Sequence, residues 1–203
     1  MQVNKKILEH FKQNDPLLYP YILKVDFKKW LSFNEKYEQN YFLALCRDII
    51  GQQLSGKAAQ TIFNRFLNLF KSKHVAPLHV IKKTDNQLRE IGLSNMKTKY
   101  IKDLAQKIIS NEIDLESIDS LSNEEIIEKL TKVKGIGKWT CEMFMMFTLK
   151  RPDVFSQGDL GLKKGMQKVY NKKTLTVAFV NKMIKKWSPY NTYAAFALWQ
   201  SLD

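Results

Sequence analysis

Apolar residues recur at helical spacing along almost the whole of this 203-residue chain. One run comprises Phe42, Leu45, Cys46, Ile49 and Ile50, in the i, i+3, i+4, i+7, i+8 order of a helix face. Runs within 59–70, 101–108 and 180–187 follow the same period, and alternating strand patterns are nearly absent. The sequence therefore predicts an all-α chain of about nine to eleven helices.

Three positions carry the sequence signals of a helix start. Ser55 is placed as the N-cap of the helix that contains 59–70. Ser122 and Glu125 form a capping box before another helix. Ser188 followed by Pro189 predicts the N-cap and first residue of a last helix that runs to about Leu202.

The net charge of +13 points to an anionic partner, with nucleic acid first and an acidic membrane surface second. Hydrophobic residues make up 44% of the chain, which is ordinary for a globular protein. The N-terminal residues 1–16 lack the apolar core of a signal peptide, and no apolar run reaches the ~20 residues of a membrane span. We expect a cytoplasmic protein, associated with the nucleoid if bacterial, that does not bind a membrane.

The two cysteines, Cys46 and Cys141, both lie within apolar helical patterns. Such cysteines more often pack as small hydrophobic residues than form a disulfide or bind metal. We therefore expect no zinc or iron–sulfur site.

The most informative segment is the hairpin at 122–149, which the sequence predicts to be two helices joined by a Gly-x-Gly turn. The first helix carries Ile126, Ile127, Leu130 and Val133, and the second begins near Lys138. Gly135 and Gly137 interrupt the pattern between them. Their backbone N–H groups would lie at the positive end of the second helix, where a phosphate can bind. An ordinary helix–helix turn remains the alternative.

A mononucleotide-binding loop fits this turn less well. No strand precedes it, and it lacks both a third glycine and the GxxxxGK[ST] pattern.

Five motifs together resemble one family. LTKVKGIGKWT and DVFSQGDLGLKKG, with IIGQQLSGKAA and IGLSNMKTKYI upstream and WSPYNTYAAFALW downstream, span about Tyr41 to Trp199. They resemble the helix-hairpin-helix–Gly/Pro/Asp DNA glycosylases, in the short bacterial and yeast form of the 3-methyladenine DNA glycosylase II branch. The resemblance implies a monomer of two helical subdomains with the active-site cleft between them. Subdomain A would comprise about 1–40 with 160–203, and subdomain B about 41–159.

The family's essential carboxylate corresponds to Asp159 here. By itself an aspartate between glycines is typical of a turn or of a helix N-cap. An alkylated purine is a cationic leaving group, so its N-glycosidic bond breaks with positive charge on the sugar. A fixed carboxylate stabilises that charge and can orient the attacking water.

Position 139 separates hydrolysis from lyase chemistry in the resembling family. Bifunctional members carry a Schiff-base lysine there, and this chain carries Trp139. Lys138 lies about 100° away around the helix and is expected to face DNA instead. The resemblance therefore implies a monofunctional enzyme.

The resemblance also implies an aromatic pocket for a flipped base, formed by Trp139 and Tyr190 with Met143 one turn after Trp139. Longer bacterial members have tyrosine where Met143 stands, which leaves the lesion range open among 3-methyladenine, 7-methylguanine, hypoxanthine and etheno adducts. The other tryptophans, Trp30, Trp187 and Trp199, are expected to pack in the core.

The remaining implied roles concern DNA contacts and one ion. Gln53 matches the wedge that fills the vacated base stack. Ser55, Gly135, Gly137, Lys138 and Lys163 are expected at the DNA backbone. The carbonyls of Thr131, Val133 and Ile136 can hold a monovalent cation, Na⁺ or K⁺, and no other cofactor is expected. Asn191 replaces an arginine common in the motif and receives no role.

The predicted function is hydrolysis of alkylated purines from double-stranded DNA during base excision repair. Two alternatives stay open at this point. The first is a non-catalytic helix-hairpin-helix module that only grips DNA. The second is a bifunctional glycosylase/lyase for oxidised bases, which would contradict the interpretation of Trp139.

Overall fold

A computed structural model describes residues 5–32, 40–70 and 75–202. Within these ranges all regular structure is helical, as the sequence predicts. The helices are α1 (Lys5–Asn14), α2 (Tyr19–Ile22), α3 (Phe27–Ser32), α4 (Tyr41–Gly51), α5 (Gly56–Asn68), α6 (Pro77–Ile81), α7 (Asp85–Glu90), α8 (Asn95–Ile109), α9 (Asn123–Leu130), α10 (Lys138–Phe147), α11 (Leu160–Val169), α12 (Val177–Trp187) and α13 (Asn191–Gln200). A 3₁₀ turn, Ile118–Ser120, precedes α9. None of the described helices is long and apolar enough to cross a membrane.

The described ranges contain thirteen α-helices, which is more than the nine to eleven expected. The additional elements are short: α2 has four residues, α6 has five, and α3 and α7 have six each. A helix of one turn or little more shows too few apolar positions for a period of 3.6 residues to be recognised.

Two of the three helix starts predicted from the sequence carry the expected side-chain caps. Ser55 accepts a hydrogen bond from the backbone N–H of Ala58 at 3.4 Å, as expected of an N-cap. Ser122 Oγ accepts from the N–H of Glu125 at 3.2 Å, and the Glu125 carboxylate accepts from the N–H of Ser122 at 2.6 Å. The predicted capping box before α9 is therefore confirmed.

The described residues form two compact units. Unit 1 contains those within Met1–Glu35 and Met145–Asp203, and unit 2 those within Lys36–Phe144. In unit 1, α11 packs against α13, α13 against α2, and α1 against α12. In unit 2, α8 packs against α4, α6 and α7, and α4 also packs against α5. The two cysteines, Cys46 and Cys141, are buried in unit 2.

The division of the chain falls earlier than the boundary near residue 160 that the resemblance implies. Residues 145–159 group with unit 1, and within them the backbone of 151–154 is hydrogen-bonded to the start of α13. The N–H of Thr192 donates to the Pro152 carbonyl at 2.9 Å, and its hydroxyl donates to the Arg151 carbonyl at 2.6 Å. The N–H of Val154 donates to the same hydroxyl at 3.0 Å.

Candidate active site and nucleic-acid interface

The segment 131–137 between α9 and α10, here called the hairpin turn, depends on Gly135 for its shape. Gly135 has φ +81°, in the left-handed region that favours glycine. A Cβ built at this position would lie 2.1 Å from the ring of Tyr100 on α8. Both the backbone conformation and the neighbouring ring therefore exclude a side chain.

Gly137 lies in a different environment, two residues further along the hairpin turn. A Cβ at Gly137 would meet no protein atom within 4 Å, and the residue is exposed. It directly precedes α10, whose positive end favours an anion. The arrangement leaves room for a phosphate to approach the backbone of Gly137, and phosphate binding there stays a prediction.

Two side chains distant in sequence hold the hairpin turn. Asp103 on α8 accepts a hydrogen bond from the backbone N–H of Lys134 at 2.9 Å. The Gln52 side-chain amide donates to the Gly135 carbonyl at 2.8 Å and contacts the Thr140 hydroxyl at 3.4 Å. Gln52 directly precedes the predicted wedge, Gln53, and its side chain therefore connects that part of the chain to the hairpin turn.

The predicted wedge, Gln53, is exposed and has φ +58°, which is uncommon for a residue with a side chain. Lys97 on α8 holds the preceding backbone, because its ammonium donates to the carbonyls of Ile50 at 2.8 Å and Gln52 at 2.6 Å. Burial lowers the pKa of Lys97. The structure therefore places Gln53 on a turn tied to both α8 and the hairpin turn.

The aromatic positions lie in separate units. Trp139 in unit 2, on the first turn of α10, is 47% exposed, an unusual position for a large apolar ring. Met143 is half-buried one turn later. Tyr190 in unit 1 is also half-buried, and its ring lies edge-on to His10 and Tyr193, with centroids 5.1 and 6.0 Å away.

The lysines assigned to the DNA backbone are exposed. The side chain of Lys138 is 70% exposed and lies 4.0 Å from the Glu142 carboxylate on the same helix. Lys163 lies in the first turn of α11 and is likewise exposed. Both lysines are exposed enough to contact an anion. Their contact with the DNA backbone stays a prediction.

The carbonyls assigned to a monovalent cation all belong to the hairpin turn. The Val133 carbonyl accepts a hydrogen bond from the N–H of Ile136 at 3.1 Å. A carbonyl oxygen has a second lone pair, so this bond does not exclude a cation. Cation binding by Thr131, Val133 and Ile136 stays a prediction.

Asp159 lies in the segment 156–161, here called the carboxylate turn, and it is the N-cap of α11. Its Oδ1 accepts hydrogen bonds from the backbone N–H of Leu162 at 2.8 Å and from the indole N–H of Trp199 at 3.0 Å. The residue is only half-buried. The carboxylate therefore lies at the N-terminus of a helix, whose partial positive charge attracts a negative group.

The expectation that Trp199 belongs simply to the core is wrong, since it is half-buried and bonded to Asp159. Trp30 and Trp187 do lie in the core, with exposures of 4% and 0%. The Trp199 indole reaches Asp159 because Gly161 carries no side chain. A Cβ at Gly161 would lie 2.9 Å from the indole.

The predicted start of the last helix at Ser188 and Pro189 is wrong. α13 begins at Asn191, after a cis peptide bond between Ser188 and Pro189. Asp153 explains the difference, because its carboxylate accepts from the Ser188 hydroxyl at 2.7 Å and from the Asn191 backbone N–H at 3.1 Å. The Asn191 side chain also donates to Asp153, at 2.6 Å, so Asn191 has a structural role that the sequence did not indicate.

Sequence reasoning missed the residues that hold each turn in place. They are Gln52, Lys97, Tyr100, Asp103, Asp153 and Trp199. Their own motifs contain little local signal, because each acts on a residue far away along the chain.

Comparisons with known proteins identify the family. A family model described as HhH-GPD superfamily base excision DNA repair protein matches residues 46–190. DNA-3-methyladenine glycosylase 1 of Schizosaccharomyces pombe is 37% identical over 170 residues, which cover 82% of this chain and 72% of that protein.

Two solved structures are also similar. A 3-methyladenine DNA glycosylase of Schizosaccharomyces pombe in complex with abasic DNA has a TM-score of 0.75 and 31% identity, covering 96% of this chain and 95% of that chain. A DNA-3-methyladenine glycosidase of Bacillus halodurans has a TM-score of 0.73 and 38% identity, covering 79% and 74%. The chain thus belongs to the HhH-GPD superfamily of base excision DNA repair proteins and is a DNA glycosylase of the 3-methyladenine type.

Proposed function

We propose that this protein is a monofunctional glycosylase that hydrolyses the N-glycosidic bond of alkylated purines in double-stranded DNA, with Asp159 as the catalytic carboxylate. The observation that carries the proposal is the placement of Asp159. Its Oδ1 accepts two hydrogen bonds, from Leu162 and Trp199, at the N-terminus of α11. The names of the relatives, and the abasic DNA bound to one of them, support DNA as the partner.

A single fixed carboxylate is sufficient when the leaving group is already cationic. As the bond to the base breaks, positive charge develops on the sugar, and a carboxylate stabilises it electrostatically. Two unit charges about 4 Å apart gain roughly 4 kcal/mol at an effective dielectric constant near 20. That energy corresponds to a rate increase of about three powers of ten.

The remaining roles follow from exposure and charge. The ring of Trp139 is available to stack on an electron-poor base, and Gln53 is available to enter the base stack. The open backbone at Gly137 and the exposed Lys138 suit a phosphate. Trp139 has no amine, so it cannot form the Schiff base that a lyase requires.

The test is excision of 7-methylguanine and 3-methyladenine from alkylated duplex DNA, measured as strand breaks after hot alkali. Wild type is expected to give breaks, and Asp159→Asn is expected to reduce the single-turnover rate by about 10³-fold. Asn is the matched variant because its carbonyl oxygen can still accept from Leu162 and Trp199 while the negative charge is lost. Binding of duplex DNA with an abasic site should be unchanged within about twofold, since Asp159 carries no attraction for phosphates.

Three results would contradict the proposal. A wild-type protein that binds DNA without producing breaks would be the non-catalytic module. A covalent adduct trapped by borohydride would indicate the bifunctional lyase. Full activity of Asp159→Asn would remove the assigned carboxylate from the mechanism.

A further inference from the structure

The contact between Trp199 and Asp159 joins two helices of unit 1. Trp199 lies in the last turn of α13, and Asp159 caps the first turn of α11. The indole N–H donates to Oδ1 at 3.0 Å, the same oxygen that accepts from the N–H of Leu162. An N-cap bond needs only Leu162, so the indole supplies a second bond that the helix start does not require.

Other rings hold the indole in the orientation that this bond needs. Phe147 stacks on Trp199 with ring centroids 6.0 Å apart and planes at 25°, and Phe196 lies edge-on at 5.5 Å and 87°. Gly161 lets the indole approach the start of α11, because a Cβ there would lie 2.9 Å from its Cδ1 and Nε1. Two phenylalanines and one glycine therefore hold the indole N–H of Trp199 where it can donate to Asp159.

We infer that Trp199 is a positioning residue for Asp159, which fixes the carboxylate where the developing charge of the sugar must be met. The inference rests on the proposed function. One hydrogen bond to Oδ1 still permits the carboxylate to turn about its Cα–Cβ and Cβ–Cγ bonds. A second donor from another helix restrains both rotations, and electrostatic stabilisation depends on such prior placement.

The variant Trp199→Phe tests this role directly, because it keeps an aromatic ring between Phe147 and Phe196 and removes only the N–H donor and the second ring. A hydrogen bond to a charged group is a strong one, and its loss is expected to lower the single-turnover excision rate about tenfold or more. Affinity for a duplex with an abasic site should change by less than about twofold, since the contact does not involve the DNA backbone.

The matched control is Trp30→Phe in the same unit. The indole N–H of Trp30 donates at 3.2 Å to the backbone carbonyl of Met146 rather than to Asp159. Its replacement removes the same atoms from a buried tryptophan and is expected to lower the melting temperature without a tenfold loss of excision rate. Equal rates for the two variants would show that Trp199 acts only through stability and would overturn the inference.

Gly161→Ala provides a second route to the same bond, independent of any change in the tryptophan. The new Cβ would lie 2.9 Å from the indole and 3.1 Å from Asp159 Oδ1, so this variant should lose at least as much excision rate as Trp199→Phe. The double variant should be no more than about twofold slower than Gly161→Ala alone, because that change already removes the bond between Trp199 and Asp159. Additive losses near a hundredfold would overturn the inference.

Failure of this inference is distinguishable from failure of the proposed function. If wild type produces no alkali-sensitive breaks, or if Asp159→Asn keeps full activity, the proposed function fails. If those two results are as expected and Trp199→Phe excises at the wild-type rate, only the positioning role of Trp199 is lost.

Discussion

The hairpin turn of unit 2 and the carboxylate turn of unit 1 contain two glycines each, and in both turns the two glycines differ in the same way. In each turn, one glycine lies against an aromatic ring from a distant part of the sequence: Tyr100 against Gly135, and Trp199 against Gly161. The other glycine, Gly137 or Gly158, has no protein atom within 4 Å of a built Cβ. The packed glycines allow an aromatic ring to lie directly against each turn, while the open glycines leave the backbone accessible.

The two packed glycines also differ from each other. Gly135 has φ +81°, so a side chain there meets both an unfavourable backbone conformation and the ring of Tyr100. Gly161 lies inside α11, and the atoms nearest to a Cβ built there belong to Trp199 and Asp159. We therefore expect an alanine at each position to lower the free energy of unfolding for a different reason and by a different amount.

The largest effect on stability is expected for Gly135→Ala, with a loss of about 3 kcal/mol from left-handed strain and displacement of the Tyr100 ring. Denaturant unfolding measures it. In a Tyr100→Ala background the cost of the same change should fall to about 1 kcal/mol, because only the backbone term remains. An unchanged cost in that background would show that the ring is not the obstacle.

A smaller effect is expected for Gly161→Ala, with a loss of about 1–2 kcal/mol from the contact with the indole. In a Trp199→Ala background most of this cost should disappear, because the 2.9 Å contacts are gone, the Asp159 Oδ1 at 3.1 Å remains, and alanine is favoured over glycine in a helix. The same unfolding measurement applies. If Gly161→Ala still lowers the free energy of unfolding by the full amount in the Trp199→Ala background, the indole is not the main obstacle at Gly161.

The smallest effect on stability is expected for Gly137→Ala, within about 0.5 kcal/mol of wild type, since its Cβ would meet no protein atom. DNA affinity is expected to fall about tenfold, because the methyl group occupies the space a phosphate needs. Titration of a labelled abasic-site duplex measures it.

Gly158→Ala is the control for that experiment. It is equally open, but we assign it no contact with a phosphate, so the DNA affinity of this variant should stay within about twofold of wild type. Equal losses at both glycines would remove the distinction between them, and no loss at Gly137 would contradict its role at the DNA backbone.

Much of the secondary structure was predictable from local sequence because it depends on local contacts. The helices α4, α5, α8, α10 and α12 carry enough apolar residues to show their period, and the Ser122 capping box lies within four residues. The N-cap at Ser188 failed for the opposite reason. Asp153, far away in sequence, accepts from both the Ser188 hydroxyl and the Asn191 N–H, and α13 begins later.

The difference between local and long-range contacts also applies to the hairpin turn and the carboxylate turn. The sequence alone determined that the chain is helical, that a Gly-x-Gly turn separates two helices, and that Asp159 lies next to a glycine in a pattern typical of a turn or a helix N-cap. Only the tertiary structure decided which of the glycines pack against an aromatic ring and which side chain is hydrogen-bonded to the carboxylate. Trp199 follows Asp159 by 40 residues, and its contact depends on the packing of α11 against α13. Periodicity reports which face of a helix is buried, but it does not report which partner covers that face.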